Sequence, residues 1–322
     1  MDNFKLLMLN WRKHRFLRGV VMAMALFLCV IGLLNYFTDP YWYKENRTRN
    51  FNYYPINEVV NVIPVMNVFR LYAKGPEVKY SIIGTSHILR GVSDADQPAL
   101  EKIAVSAMDI SESTEVLKKI LSEATVPKTI FIEVCGINNE ANIRDGSFYT
   151  KVFSLRTTIF SLRTIKYNLF NQDHNIRILK QPKNPDTLKS LVELNGEIIP
   201  LRPITNEEIR MMDEMWMVNH QLKNNLQHKV VFFISPLPKE TMEEEKYKLI
   251  NQQVSKQMQG LVDSMQLRSH RLKFGFINLA DTKIGNEYQF RNGNFYKGWY
   301  DGTHFKPIIG TQVVQYLIDH AK

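Results

Sequence analysis

Two cysteines in 322 residues are too few for a disulfide framework or a four-thiolate zinc site. Eight histidines are present, but no H-E-x-x-H occurs and no Cys/His pair has ligand spacing, so metal chemistry has no motif. Neither G-x-x-x-x-G-K-[ST] nor G-x-G-x-x-G is found, and nucleotide binding has none either. Lys and Arg number 41 against 32 Asp and Glu. The charges are nevertheless scattered, with no run of five or six and no basic stripe interleaved with aromatics, so nucleic acid is not an expected partner. A composition 44% hydrophobic and 23% charged excludes disordered, collagen-like and low-complexity classes.

The feature that does stand out is one long apolar run. Gly19 to Thr38 is twenty residues without a charge. As a helix it would extend about 30 Å, the thickness of a hydrocarbon core. Lys5, Arg12, Lys13, Arg15 and Arg18 precede it against Asp2 alone, and Asp39-Pro40 ends it. The positive-inside rule then predicts a cytoplasmic segment 1–18, a transmembrane anchor 19–38 and an extracytoplasmic remainder, periplasmic or at the cell surface. A cleaved signal peptide is the alternative. Its apolar region would be unusually long, and no A-x-A-like site stands directly before Asp39. Leu28 before Cys29 also argues against a lipoprotein site. Beyond Thr38 there remain 36 basic and 31 acidic residues, a mild +5 that suits a surface near an anionic envelope.

Residues 39–77, rich in Tyr, Asn and Pro, read as a connecting segment packed on the domain that follows. From 78 onward the pattern alternates. Strand-like runs occupy Val78–Ile83, Ile103–Met108, Lys128–Cys135, Lys229–Ser235 and Phe274–Leu279. Helical patterns fall at Ser113–Ala124 (Val116, Leu117, Ile120 and Leu121 on one face, Ser111 or Thr114 as cap), 205–226, 241–267 and Ile308–Ala321. Nearly continuous apolar strands between helices predict an α/β fold: a three-layer parallel sheet flanked by helices, over 78–322. A helical insertion is expected at about 140–228, longer than a crossover needs. Within it Ser154-Leu155-Arg156-Thr157 recurs as Ser161-Leu162-Arg163-Thr164. One heptad apart, these read as two turns of an amphipathic helix with exposed arginines, or as a cap over the carboxyl edge of the sheet.

Three short elements carry chemistry. Gly84-Thr85-Ser86-His87 ends the first strand, placing a serine hydroxyl where open α/β sheets bind ligands. Asp301-Gly302-Thr303-His304 precedes the last helix, and an Asp three residues ahead of a His can hold the imidazole as a general base. Gly136-Ile137-Asn138-Asn139 follows the third strand, and a fixed Asn amide there can donate to an oxyanion. Each also has a plain structural reading as a turn or a satisfied core residue. His87 neighbours the nucleophile, but adjacent residues leaving a strand point apart, which favours His304 as base. Arg90 and His87 are weaker candidates for substrate binding. Glu133, inside the third strand, needs a partner if buried or else serves as a site acid.

In order and placement these elements resemble the SGNH/GDSL hydrolase superfamily, specifically its membrane-anchored cell-envelope esterase and O-acyltransferase members. In that family the serine follows the first strand, a G-x-N-D block the third, and D-x-x-H precedes the final helix. Ser86, Gly136-Ile137-Asn138 and Asp301-x-x-His304 match, over about residues 78–322, in pattern more than identity. The chain departs in having Thr85 for the acid before the serine, Asn139 for the last Asp of its block, and no glycine between Gly91 and Gly136 to supply the second-block oxyanion donor. Ala107, Met108 or Asp109 could offer a backbone N–H instead. The resemblance implies an SGNH or flavodoxin-like fold and acyl transfer through a Ser86 ester. His304 is then the base, Asp301 its orienter, and the Ser86 N–H with the Asn138 amide the oxyanion donors. No cofactor is implied. The implied partners are the lipid bilayer, an acylated glycan or lipid-linked substrate, and a membrane acyltransferase as a conceivable acyl source. The rival expectation is a catalytically degenerate scaffold that binds glycan or a membrane partner.

Overall fold

The computed structural model describes residues 15–38, 77–93, 99–104, 108–134, 152–170, 203–222, 225–300 and 302–321. The connecting segment up to residue 76, much of the 140–228 insertion, Cys135, Asn138 and Asp301 lie outside the described residues. In chain order the first elements are α1 (Arg15–Thr38), β1 (Tyr80–Gly84), α2 (Ser86–Gly91), β2 (Leu100–Ala104), α3 (Ile110–Glu123), β3 (Thr129–Glu133) and α4 (Leu155–Phe170). There follow α5 (Asn206–Asp213), α6 (Val218–Gln221), β4 (His228–Ile234), α7 (Lys239–Met242), α8 (Glu245–Arg268), β5 (Leu272–Asn278), α9 (Phe295–Gly298) and α10 (Pro307–His320).

The chain divides into two compact units, one of residues 1–58 and 145–178, the other of 59–144 and 179–322. In the first, α1 is 24 residues long and apolar enough to cross a membrane, with most of its side chains exposed. It packs against α4.

The second unit is built on five parallel strands in the order β2-β1-β3-β4-β5. Chain direction across the sheet reverses between β1 and β3, and their carboxyl ends open the crevice where such sheets take ligands. Side chains alternate between faces. Ile82, Phe131, Val231 and Phe233 join Ile88 of α2, Trp299, Phe305 and Ile309, Val313 and Leu317 of α10 in one core layer. The alternate residues Ile83, Ile130, Ile132, Val230 and Phe232 are buried on the other face, where α3 and α8 pack. Both faces are therefore apolar, which is why the strands read as continuous hydrophobic runs.

Several expectations are corrected. The second strand, expected at Ile103–Met108, spans Leu100–Ala104 and so begins three residues earlier, where its charged residues have buried partners; residues 105–107 of the expected run lie outside the described residues. Ser81 Oγ donates to Glu101 Oε2 at 3.1 Å, and Lys128 Nζ lies 3.9 Å from the same carboxylate. The helical pattern at 205–226 breaks into α5, a 3-10 turn at Glu214–Met217 and α6. The start of α3 is capped by neither Ser111 nor Thr114 but by Asp109, in a reciprocal capping box with Glu112.

At the amino end of the sheet, buried His228 accepts the Lys128 N–H on Nδ1 at 3.1 Å. Burial, reinforced by the Lys128 charge, lowers its pKa to about 4 from 6.5. A depressed imidazole pKa means that the unfolded chain binds the extra proton first. The contribution of neutral His228 is thus complete above pH 6.5 and is lost as pH falls from there toward 4. Urea unfolding across that window should show a stability loss in the wild type that is smaller in His228→Gln, on the order of 1–2 kcal/mol. Equal slopes in the two proteins would contradict this assignment.

Candidate active site

Gly84 ends β1 against two neighbours that leave no room for a side chain. A Cβ there would stand 2.4 Å from Ile88 Cγ1 and 2.8 Å from Glu133 Oε2. The chain turns at Thr85 into α2, whose first residue is the half-buried Ser86. Thr85 does not cap the helix with its hydroxyl. Instead its N–H and Oγ1 both donate to Glu133 Oε2, at 2.7 and 2.8 Å. The carboxylate beside the Thr85–Ser86 turn thus comes from the neighbouring strand β3.

His304 is held by a tight reversal between Trp299 and Phe305. The Tyr300 N–H donates to His304 O at 2.7 Å and the Lys306 N–H to Gly298 O at 2.7 Å, around an antiparallel bridge Trp299–Phe305. The fully buried Trp299 and Phe305 rings meet edge to face, with centroids 6.4 Å apart. Phe305 lies against Gly91 at the end of α2, where a Cβ would approach Phe305 Cδ2 to 2.2 Å. That contact couples the helix bearing Ser86 to the turn bearing His304.

The two side chains meet. Ser86 Oγ and His304 Nε2 are 2.8 Å apart across 218 residues of sequence. In the tautomer in which Nε2 accepts the hydroxyl proton, Nδ1 carries the hydrogen, and Thr303 Oγ1 stands 3.1 Å from it as an acceptor. Thr303 is a neighbour that motif spacing alone does not single out.

His87 does not point away from this pair as strand geometry suggests, because Ser86 and His87 are already helical. Its ring lies 4.8 Å from that of His304, tilted by 40°. His87 Nδ1 is 3.0 Å from Glu133 Oε1, with Thr85 Oγ1 at 3.3 Å. Ser235 Oγ, just past β4, donates to the same Glu133 oxygen. Glu133 is buried, and burial alone would raise its pKa. The charge of His87 and hydrogen bonds from His87, Ser235 and Thr85 outweigh that, holding the carboxyl below the usual range. Glu133 therefore has the partners that a buried carboxylate requires, and the sheet order brings them together.

Arg90 is exposed on the last turn of α2. Burial raises the Tyr300 phenol pKa, and the nearby Arg90 charge opposes the rise. As for the oxyanion donors, the Asp109 N–H is directed at Glu112 Oε2 at 3.1 Å, which removes it from the three alternatives. Ala107 lies outside the described residues, as do Asn138 and Asp301. Among the described residues no group of three His, Cys, Asp or Glu side chains is arranged to hold a metal ion.

Fold and site together define an α/β protein with a five-stranded parallel sheet, a hydrogen-bonded Ser–His pair at its carboxyl end, and one N-terminal helix of membrane-spanning length. In comparisons with known proteins, no family model and no curated protein matches the chain.

Proposed function

We propose that this protein is a membrane-anchored, extracytoplasmic serine esterase or O-acyltransferase of the SGNH type. It acts on acyl esters, with acetyl the expected group, of an envelope or exported polysaccharide. The observation that carries this reading is the 2.8 Å contact between Ser86 Oγ and His304 Nε2 at the switch point of the sheet. Ser86 Oγ attacks the ester carbonyl while its proton passes to His304 Nε2. The leaving alcohol takes that proton as the C–O bond breaks, leaving acyl-Ser86. Water or a sugar hydroxyl, deprotonated by His304, then releases the acyl group and restores the serine. Thr303 steadies the imidazole at Nδ1, and Asp301 orients it. The basic segment before α1 supports a cytoplasmic N-terminus and an outward-facing domain.

The degenerate-scaffold reading draws on one observation, the engagement of the Asp109 N–H by Glu112, which leaves the second oxyanion donor unassigned among the described residues. A missing donor costs about 10²–10³ in rate.

A fluorophosphonate probe on the full-length protein in detergent tests the serine chemistry. Labelling should be clear in the wild type and fall by at least about 10³-fold in Ser86→Ala and His304→Ala, with circular dichroism unchanged. A folded wild type that takes no label, together with Ser86→Ala cells that modify their polysaccharide normally, would favour the scaffold.

A further inference from the structure

Helix α4 is built inside out for water. The side chains it buries are polar or small: Thr157, Ser161 and Thr164, along with Phe160. Its opposite face is apolar and open, with Leu155 68%, Leu162 55% and Leu169 72% exposed. At 100° per residue Leu155, Ile159, Leu162 and Leu169 fall within one stripe, and Arg156 and Arg163 stack along its flank. Helices in lipid have this arrangement, with small and hydrogen-bonding residues at the helix contact and aliphatic residues outward.

The contact with α1 fixes where α4 lies. Phe153 covers Gly32, where a Cβ would come within 2.7 Å of its ring. Asn35 Nδ2 donates to Val152 O at 2.6 Å and Thr158 Oγ1 at 3.1 Å. Ser161 Oγ donates to Asn35 Oδ1 at 2.8 Å, and Thr38 Oγ1 donates to Ser161 Oγ at 2.6 Å. The partners advance together along both helices, so α4 runs parallel to the end of α1. Asn35 is fully buried inside an apolar run, and its amide would be costly in hydrocarbon without these bonds. Gly32 lies six residues before Thr38, about 9 Å deeper along the helix. The turn containing Phe153 and the start of α4 therefore enter the same leaflet as the end of α1. Arg163 and Lys166, beyond the level of Thr38, reach headgroup height, and Arg156 can snorkel to it.

We propose that α4 is a second membrane element, sunk into the leaflet at the carboxyl end of α1, with its Leu155–Leu162 face covered by acyl chains. The occupant follows from continuity: the α4 stripe extends the lipid-facing surface of a helix whose own side chains Leu26, Val30, Leu33 and Phe37 are all more than half exposed. The proposal depends on α1 crossing a bilayer and is independent of the serine chemistry.

Single cysteines at Leu26, Leu155, Leu162 and Leu267, in full-length Cys29→Ala/Cys135→Ala protein, can carry an NBD label in phosphatidylcholine–phosphatidylglycerol vesicles. The label at 26 should lose at least about half its fluorescence to a deep lipid nitroxide, and those at 155 and 162 to a shallow one. The label at 267, on exposed α8, should respond to aqueous iodide alone. Quenching at 26 with only iodide quenching at 155 and 162 would overturn the proposal and leave the anchor standing. Labels at 155 and 162 shielded from both quenchers would place protein there and overturn it too. Iodide quenching at 26 would remove the anchor and the proposal together.

Discussion

Glu133→Ala is expected to destabilise the protein by about 3–5 kcal/mol and to abolish serine labelling. The Glu133 side chain gathers several partners around the site. One carboxylate accepts from the Thr85 backbone and hydroxyl on Oε2, and faces His87 and Ser235 on Oε1. Removing it strips the half-buried His87 imidazole of its carboxylate partner and releases the turn that aims Ser86. Glu133→Gln keeps the shape and one acceptor oxygen but loses the charge, so its cost should be smaller. The acid response separates the two roles. A carboxyl whose folded pKa is depressed contributes stability that is complete above its ordinary value of 4.5 and is lost as pH falls through the lower folded value. Urea unfolding below pH 4.5 should therefore show a steeper loss in the wild type than in Glu133→Gln. Identical acid limbs would mean that Glu133 is not held as the anion.

Gly310→Ala should be nearly as damaging, costing about 3 kcal/mol or more and lowering Tm by about 6 °C or more. A Cβ at 310 would stand 1.8 Å from Gly91 O and 2.6 Å from its carbonyl carbon. Backbone, not a flexible side chain, blocks it, so α10 must lift away from α2. Because Gly91 also seats Phe305, the lift opens the Ser86–His304 contact and labelling should fall with stability. Gly260→Ala is the control, since nothing lies within 4 Å of a Cβ there and the residue sits in the middle of α8. It should gain about 0.5–1 kcal/mol from the lost backbone entropy of the unfolded chain. A Gly310→Ala protein as stable as the wild type would show that the two helices are not in fixed contact.

The sequence made some of this legible and hid the rest for identifiable reasons. Thr-Ile-Phe-Ile-Glu and Val-Val-Phe-Phe-Ile are buried on both faces, and β3 and β4 stand where those runs predict them. Leu-Glu-Lys-Ile-Ala carries two charges in the edge strand β2, and only its neighbours' polar groups, distant in sequence, explain why it pairs. The Gly-x-Ser turn and the D-x-x-H spacing pick out Ser86 and His304, which the structure brings together. Glu133 is recognisable in sequence as a carboxylate needing a partner. That its partners are Thr85, His87 and Ser235 depends on β3 lying between β1 and β4, information that emerges only with strand order. The repeated Ser-Leu-Arg-Thr marks an amphipathic helix, and Arg156 and Arg163 are indeed exposed. Its buried side is the hydroxyl side, however, so hydrophobicity alone points the wrong face inward.

The separation of Ser86 from His304 also bears on biosynthesis. At 5–20 residues per second, about 10–40 seconds pass between synthesis of Ser86 and synthesis of His304. All five strands are complete before residue 304 emerges, so the sheet can assemble around a serine that still lacks its imidazole. In the folded protein Gly310 crosses Gly91, and Phe305 of the preceding turn lies against Gly91 at the end of α2. Synthesis of the sheet therefore precedes synthesis of the residue that completes the Ser86–His304 contact.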